Sequence, residues 1–277
     1  MSSKNLFIIV CCFAMHVSAQ SEMDTTALRV SYDSKMRTME DVKNLSNDEK
    51  VLDIGKHSSH FYSRWSECNK AISDSIFGRG GTVQDYSSEL EKTGFPNSMT
   101  PFHVFKNYPK KGLLTYTDKV FKSFIYEEPM EMPDWKLSEG DTVVLGYHCK
   151  KAQTTFRGRT WNVWYTMDIP YSDGPWKLYG LPGLILHAAD AKGDFIFDCI
   201  GIKQGNMGPI VLRKEKYINC TPQEFEKNRR SSFEDPDSYM TKMGFPNIQG
   251  YDAKGRPIVH KPQVPCLLEY VLKNYKK

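Results

Sequence analysis

Two histidines three residues apart, His57 and His60, form the sharpest metal-ligand spacing in the chain. They share a face only if that stretch is helical or tightly turned, because on a strand they point to opposite sides. Met130 and Met132 could add soft sulfur ligands for copper in an oxidising compartment. The plainer reading makes all four surface side chains beside a proline-rich turn, so no cofactor is assigned and metal binding stands as the alternative. Ser172, Asp173 and His187 are the residue types of a nucleophile triad, yet Ser-Asp ahead of Gly-Pro is ordinary turn chemistry. His148 and His187 fall on strand-like runs and could be neighbours across a sheet, where a hydrogen-bonded structural imidazole is the default. Arg157 and Arg159 flank a hairpin glycine and are expected in solvent, with an anion or partner site as the alternative. H-E-x-x-H, the P-loop, G-x-S-x-G and the dinucleotide fingerprint are missing. No catalytic residue is assigned.

Aromatic side chains carry the binding candidates. Trp161, Trp164, Tyr165, Trp176 and Tyr179 crowd into one stretch, where core packing and loop anchoring are the default. Their functional alternative is an apolar ligand pocket or a partner-docking patch. Trp176 and Tyr179 sit in a connection thick with turn residues, between strand-like runs at Thr160–Asp168 and Leu184–Ala189. That composition predicts a loop packed onto the protein. Within it, Leu181-Pro182-Gly183-Leu184 has proline and glycine where a type II turn prefers them. Gly183→Val is therefore expected to cost several times more stability than Lys177→Ala, since only glycine tolerates φ > 0.

Gly180-Leu181-Pro182-Gly183-Leu184-Ile185 spells the name of the GLPGLI family, a group of secreted proteins from Bacteroidetes, and the chain resembles that family. The surrounding order is similar too: Gly146-Tyr-His-Cys149, Lys151-Ala152, Phe156-Arg-Gly-Arg159, Trp164-Tyr165, Ile169-Pro170 and Asp173-Gly-Pro175. The specific part covers residues 142–202, with weaker likeness through Ser59-His-Phe-Tyr62 and Tyr108–Lys111. The resemblance implies a fold and no settled activity. A looser resemblance, over the same region, is to periplasmic lipoprotein carriers in which a curved half-barrel sheet clasps helices and can hold an acyl chain.

The first nineteen residues read as an export signal: Lys4, an apolar run over Leu6–Met15, then Val17-Ser18-Ala19. Cleavage after Ala19 would leave residues 20–277 as a single domain, without another run of the ~20 apolar residues that span a bilayer. The formal charge of +4 is spread along the chain with no basic stripe, which argues against nucleic acid. Cys68, Cys149, Cys199, Cys220 and Cys266 lack any C-x-x-C pair, so they read as one or two structural bridges or as small buried residues.

Apolar alternation predicts strands at Leu28–Met36, Val51–Ile54, Phe102–Phe105, Leu113–Asp118, Lys119–Glu127, a run through Thr142–Cys149, Thr160–Asp168, Leu184–Ala189, Phe195–Ile202 and Ile210–Asn219. Helical patterns occupy a helical insertion at about 63–97 and a C-terminal segment at about 221–243, the latter opened by the capping box Thr221-Pro-Gln-Glu224. Gly94-Phe-Pro-Asn97 and Gly244-Phe-Pro-Asn247 read as shared helix-stop chemistry. The expected fold class is α+β: a large curved antiparallel sheet, half-barrel-like, with helices packed on one face. The expected function is that of an exported, non-enzymatic binding or accessory protein of the cell envelope, periplasmic or secreted. It would hold an apolar small molecule or dock to an envelope protein such as an outer-membrane transporter. The alternatives are an envelope metal-binding protein and a hydrolase with an unrecognised site.

Overall fold

The computed structural model describes residues 24–94, 96, 98, 100–244, 256 and 260–270. The expected leader, the residues after Gly244 in the second Gly-Phe-Pro-Asn, and the Lys273–Lys277 tail lie outside the described residues. Alternating side chains fold into β1 (Leu28–Met36), β2 (Ser46–Ile54) and β3 (Ser59–Ser63), followed by the helices α1 (Arg64–Gly78) and α2 (Val83–Thr93). The chain returns as β4 (His103–Lys106), β5 (Leu113–Val120), β6 (Lys122–Pro129), β7 (Lys136–Val144), β8 (Tyr147–Phe156) and β9 (Arg159–Thr166). After the Gly/Pro connection come β10 (Leu184–Asp190), β11 (Phe195–Gln204), β12 (Ile218–Asn219), α3 (Pro222–Glu234) and α4 (Pro236–Lys242).

These strands make one open sheet of twelve, in the order β12-β6-β5-β4-β3-β2-β1-β11-β10-β9-β8-β7. All neighbours are antiparallel except the short β12, which pairs parallel with β6. Register places Tyr126, Tyr116, Val104, Phe61, Leu52 and Val30 in one transverse line on the inner face. Phe197, Ala188, Val163 and Ala152 continue that face beyond β1. All ten belong to one buried hydrophobic cluster. Thr221 and Glu224 form the expected capping box, and Phe225 one turn later packs its ring on Tyr116, Phe124 and Tyr126. That contact docks α3 against β5 and β6.

Three local expectations give way. The alternating run Thr142–Cys149 is a hairpin rather than one strand, because Leu145 and Gly146 take φ of +51° and +84° and reverse the chain between β7 and β8. Ile210–Asn219 is mostly irregular: Ile210 is buried but Val211 is exposed, and only Ile218–Asn219 pairs, with β6. The corner Leu181–Leu184 is not a type II turn. The Gly183 N–H donates to the Leu181 carbonyl at 2.8 Å, closing a three-residue turn over Pro182, and Gly183 keeps the expected positive φ, at +158°. Glycine is demanded there by proximity, since a Cβ would stand 2.0 Å from the Thr166 carbonyl oxygen.

The connection around that corner is packed as expected. Trp176, Leu178 and Leu181 are buried, and Trp176 meets Trp161 and Phe156 with ring centroids 5.5 and 5.9 Å apart. Less expected is the charge beneath it. Lys50, Lys106 and Lys177 are 0–1% exposed, although lysine is almost never fully buried without a partner. The Lys177 ammonium donates to Glu128 Oε1 (2.7 Å), Glu269 Oε1 (2.6 Å) and the Tyr126 hydroxyl (3.1 Å). Lys106 pairs with Asp173 and donates to the Gly174 carbonyl at 2.7 Å, while Lys50 pairs with Asp48 at 3.0 Å.

Arg157 and Arg159 are not solvated turn residues. Arg159 is buried, pairing with Asp190 at 2.7 Å and donating to the Leu267 carbonyl at 2.5 and 2.9 Å. Arg157 pairs with Glu128 at 3.0 Å, and its carbonyl accepts the Tyr270 N–H. The hairpin therefore clamps segment 261–270, and its arginines are drawn inward because that segment brings carbonyls and Glu269 to them.

Candidate functional site

The outer face of the same sheet carries a second transverse line, and its members are polar except for Phe105. Register aligns Arg29 on β1 with Asp53 on β2, His60 on β3, Phe105 on β4 and Thr115 on β5. One step along, Tyr62 and His103 project from the same face, because outward positions recur every second residue. The four rings lie nearly parallel: His60 stacks on Phe105 with centroids 3.9 Å apart, on Tyr62 at 4.5 Å and on His103 at 5.2 Å. Segment 207–213 passes over the line, and α1 brings Glu67 to its end. The result is a cleft of about 360 Å³ lined by Arg29, Asp53, His60, Tyr62, His103 and Arg213, among others.

Every charge in this cleft is balanced. Arg29 holds Asp53 bidentately, with Nε to Oδ1 at 2.6 Å and Nη2 to Oδ2 at 2.8 Å, and Tyr62 donates its hydroxyl to Oδ2 at 3.1 Å. Arg213 takes Glu67 at 2.5 Å and reaches Asp74 at 3.4 Å. His60 Nε2 and His103 Nδ1 are 2.9 Å apart, so one donates and the other accepts. His103 Nε2 faces Glu67 Oε1 at 3.5 Å. The network thus assigns the N–H of His103 to Nε2 and that of His60 to its own Nε2, leaving a lone pair on His60 Nδ1.

This arrangement holds both imidazoles neutral. Desolvation, reinforced by the neighbouring His103, Arg29 and Arg213, pushes His60 well below the ordinary histidine range. Desolvation, with Lys50 and Arg213, pushes His103 down to about 3. Glu67 does not restore the charge on His103, because Arg213 already neutralises that carboxylate at shorter range. Burial, with Asp53 beside it, lifts the Tyr62 phenol far above its usual value. Burial and Glu215 do the same to Tyr217. At neutral pH the two imidazoles therefore present hydrogen-bond donors and acceptors rather than charge. No hydroxyl or thiol of Ser or Cys lines it among the described residues.

Sequence reasoning singled out His60 for a different reason. His57 is exposed on the β2–β3 turn and lines another hollow, so strand geometry separates the pair as the spacing rule warned. His103 is the true neighbour of His60, delivered by strand pairing that sequence spacing does not reveal. Among the described residues, no three His, Cys, Asp or Glu side chains converge as metal ligands. Met130 Sδ accepts the Asn107 N–H, and Met132 is exposed. Asp173 is engaged by Lys106, and His187 Nδ1 lies 2.6 Å from Asp198 Oδ1, so Ser172, Asp173 and His187 form no triad. His148 is exposed on β8, with β9 between it and His187 on β10.

The aromatic candidates divide. Trp161, Tyr165 and Trp176 are core residues, and Trp161 and Trp176 pack on one another, on Phe197 and on Phe156 respectively. Trp164 and Tyr179 are half-buried: Trp164 lies beneath Lys151 at 5.8 Å, and the Tyr179 carbonyl accepts from Trp135 Nε1 at 2.8 Å. The inner cavity that Trp176 helps line measures about 60 Å³. Cys68, Cys149, Cys199, Cys220 and Cys266 are all free thiols, which removes the structural bridges and leaves the reading as small, at least partly buried side chains.

A family model described as a protein of unknown function (Porph_ging) matches residues 154–187, which contain the Gly180–Ile185 signature. No curated protein matches. Two solved structures of PNGF-II, in different crystal forms, are similar with TM-scores of 0.47 and 0.46 at 13% sequence identity. Each match covers 73% of this chain and 32% of the other, so the chain spans about a third of the length of those structures.

Proposed function

We propose that this chain is an exported binding protein that holds a small, uncharged polar molecule in the outer cleft. One observation carries the reading: His60 and His103, 2.9 Å apart at their ring nitrogens, sit between the Arg29–Asp53 and Arg213–Glu67 pairs, so the site offers directional hydrogen bonds among balanced charges. A general base works best with a pKa near the operating pH. Histidines held this far below neutrality serve as acceptors and donors to a ligand instead. A cavity of about 360 Å³ also falls within the usual range for small-molecule sites. Of the five aromatic candidates for an apolar ligand, Trp161 and Trp176 are packed on one another, so the outer cleft is preferred here. Envelope localisation and the GLPGLI-type assignment of the signature belong to this same proposal.

The test is to purify the protein from its native compartment, extract it and identify retained molecules by mass spectrometry, beside an Arg213→Ala variant. A polar, neutral compound retained by the wild type and lost from the variant supports the reading. Equal retention by both, or an acidic or purely apolar compound, contradicts it.

Docking to an envelope protein is favoured by a different observation. Among the described residues β7 pairs only with β8 and leaves its other edge open, and it exposes Leu137 (69%) and Val143 (59%). An open edge with apolar side chains is a template for strand addition. Leu137→Lys with Val143→Lys should abolish such docking and leave the outer cleft unaffected.

A further inference from the structure

Beside the His60 cleft, and sharing only Val211 with it, lies a second hollow of about 670 Å³ lined by Lys56, His57, Lys110 and Lys111. Its floor is the β2–β3 turn, which grips a carboxylate belonging to the chain itself. Asp24 Oδ1 accepts the Lys56 N–H at 3.0 Å; Oδ2 accepts the His57 N–H at 2.8 Å, the Ser58 N–H at 2.7 Å and the Ser58 hydroxyl at 2.9 Å. Three consecutive backbone N–H groups converging on one anion form a nest, the same device that cradles phosphates elsewhere. Gly55 completes it, since a Cβ there would stand 2.6 Å from the Asp24 carboxylate.

The segment that carries Asp24 has anchors besides the carboxylate. The Asp24 carbonyl already accepts the Ile210 N–H at 2.8 Å, the Thr26 N–H donates to the Gly208 carbonyl at 2.9 Å, and Thr25 bridges to Pro209. Burial works to raise the Asp24 pKa, yet the donors of His57, Ser58 and Lys56 together hold it below the usual carboxylate range. The turn is thus built for an oxyanion, and the lysines around it supply charge beyond what one internal carboxylate uses.

We infer that the β2–β3 turn is an oxyanion-binding site for a carboxylate or phosphate group of a ligand, and that Asp24 is its displaceable resident. The experiment follows the backbone amides of Lys56, His57 and Ser58 by NMR while inorganic phosphate or acetate is titrated into wild type, Asp24→Ala and Asp24→Asn. Charge-assisted bonds of this kind predict binding to the Asp24 variants about tenfold tighter than to wild type. Lys110→Ala in the Asp24→Ala background should weaken it again. A response to phosphate alone assigns a phosphate head group, to acetate alone a carboxylate, and to both a general oxyanion. Amides unmoved by either anion in a folded Asp24 variant overturn the inference. So does loss of folding in both variants, which would make Asp24 a lock and not an occupant.

Discussion

The two faces of the sheet bury ionisable groups in opposite ways. On the inner face Lys50, Lys106, Lys177 and Arg159 are each matched by carboxylates and carbonyls of the same chain. On the outer face His60 and His103 surrender their charges and keep hydrogen-bonding capacity beside a hollow. Sealed pairs of the first kind contribute little net stability over an apolar core, but removing one partner leaves an uncompensated charge. They fix where the connection 170–183 and segment 261–270 sit. The imidazoles of the second kind line a space that another molecule can fill.

The sharpest way to break this contrast is Lys177→Met, which removes the buried cation between Glu128 and Glu269 and leaves the two carboxylates to Arg157 alone. It should cost about 3–5 kcal/mol in denaturant unfolding, against the small effect expected of a loop lysine. Gly183→Ala should cost several kcal/mol, of the order that exceptional core substitutions reach, because the new Cβ meets the Thr166 carbonyl. Melting within a few degrees of wild type for either variant would remove the inner clamp from the account.

The outer face responds to pH instead. Both histidines have folded pKa values below the unfolded one of about 6.5. Their contribution is therefore complete above pH 6.5 and is lost as pH falls towards their folded values, since the unfolded chain binds those protons first. Stability should decline between pH 6.5 and 4 by up to about 1.4 kcal/mol per pH unit for each histidine. His103→Phe should flatten that slope, and an unchanged slope would deny the outer face its neutral pair. The smallest effect anchors the scale: Arg64→Ala, which removes a half-exposed pair with Glu49, should change stability by less than about 1 kcal/mol.

Much of the strand order was readable because Leu28, Val30, Tyr32 and Met36 alternate cleanly and Thr221–Glu224 announces its helix. Leu145-Gly146 was missed because an apolar side chain in a tight turn imitates the next beat of an alternating strand. The inner clamp was invisible because Lys177 and Glu269 are 92 positions apart and lysine ordinarily reads as surface. The outer line was half visible: Ser59–Tyr62 stood out, but its partners Arg29, Asp53 and His103 come from three other strands. Their meeting is set by register, which only the assembled sheet determines.

The most direct test of the central claim reads the imidazole nitrogens of His60 and His103 by ¹⁵N NMR at pH 7, before and after adding the molecule retained by the native protein. The account predicts two neutral rings, each with its N–H on Nε2, and a shift at His60 Nδ1 when the ligand fills the cleft. An imidazolium at either position, or rings indifferent to the ligand, would contradict it.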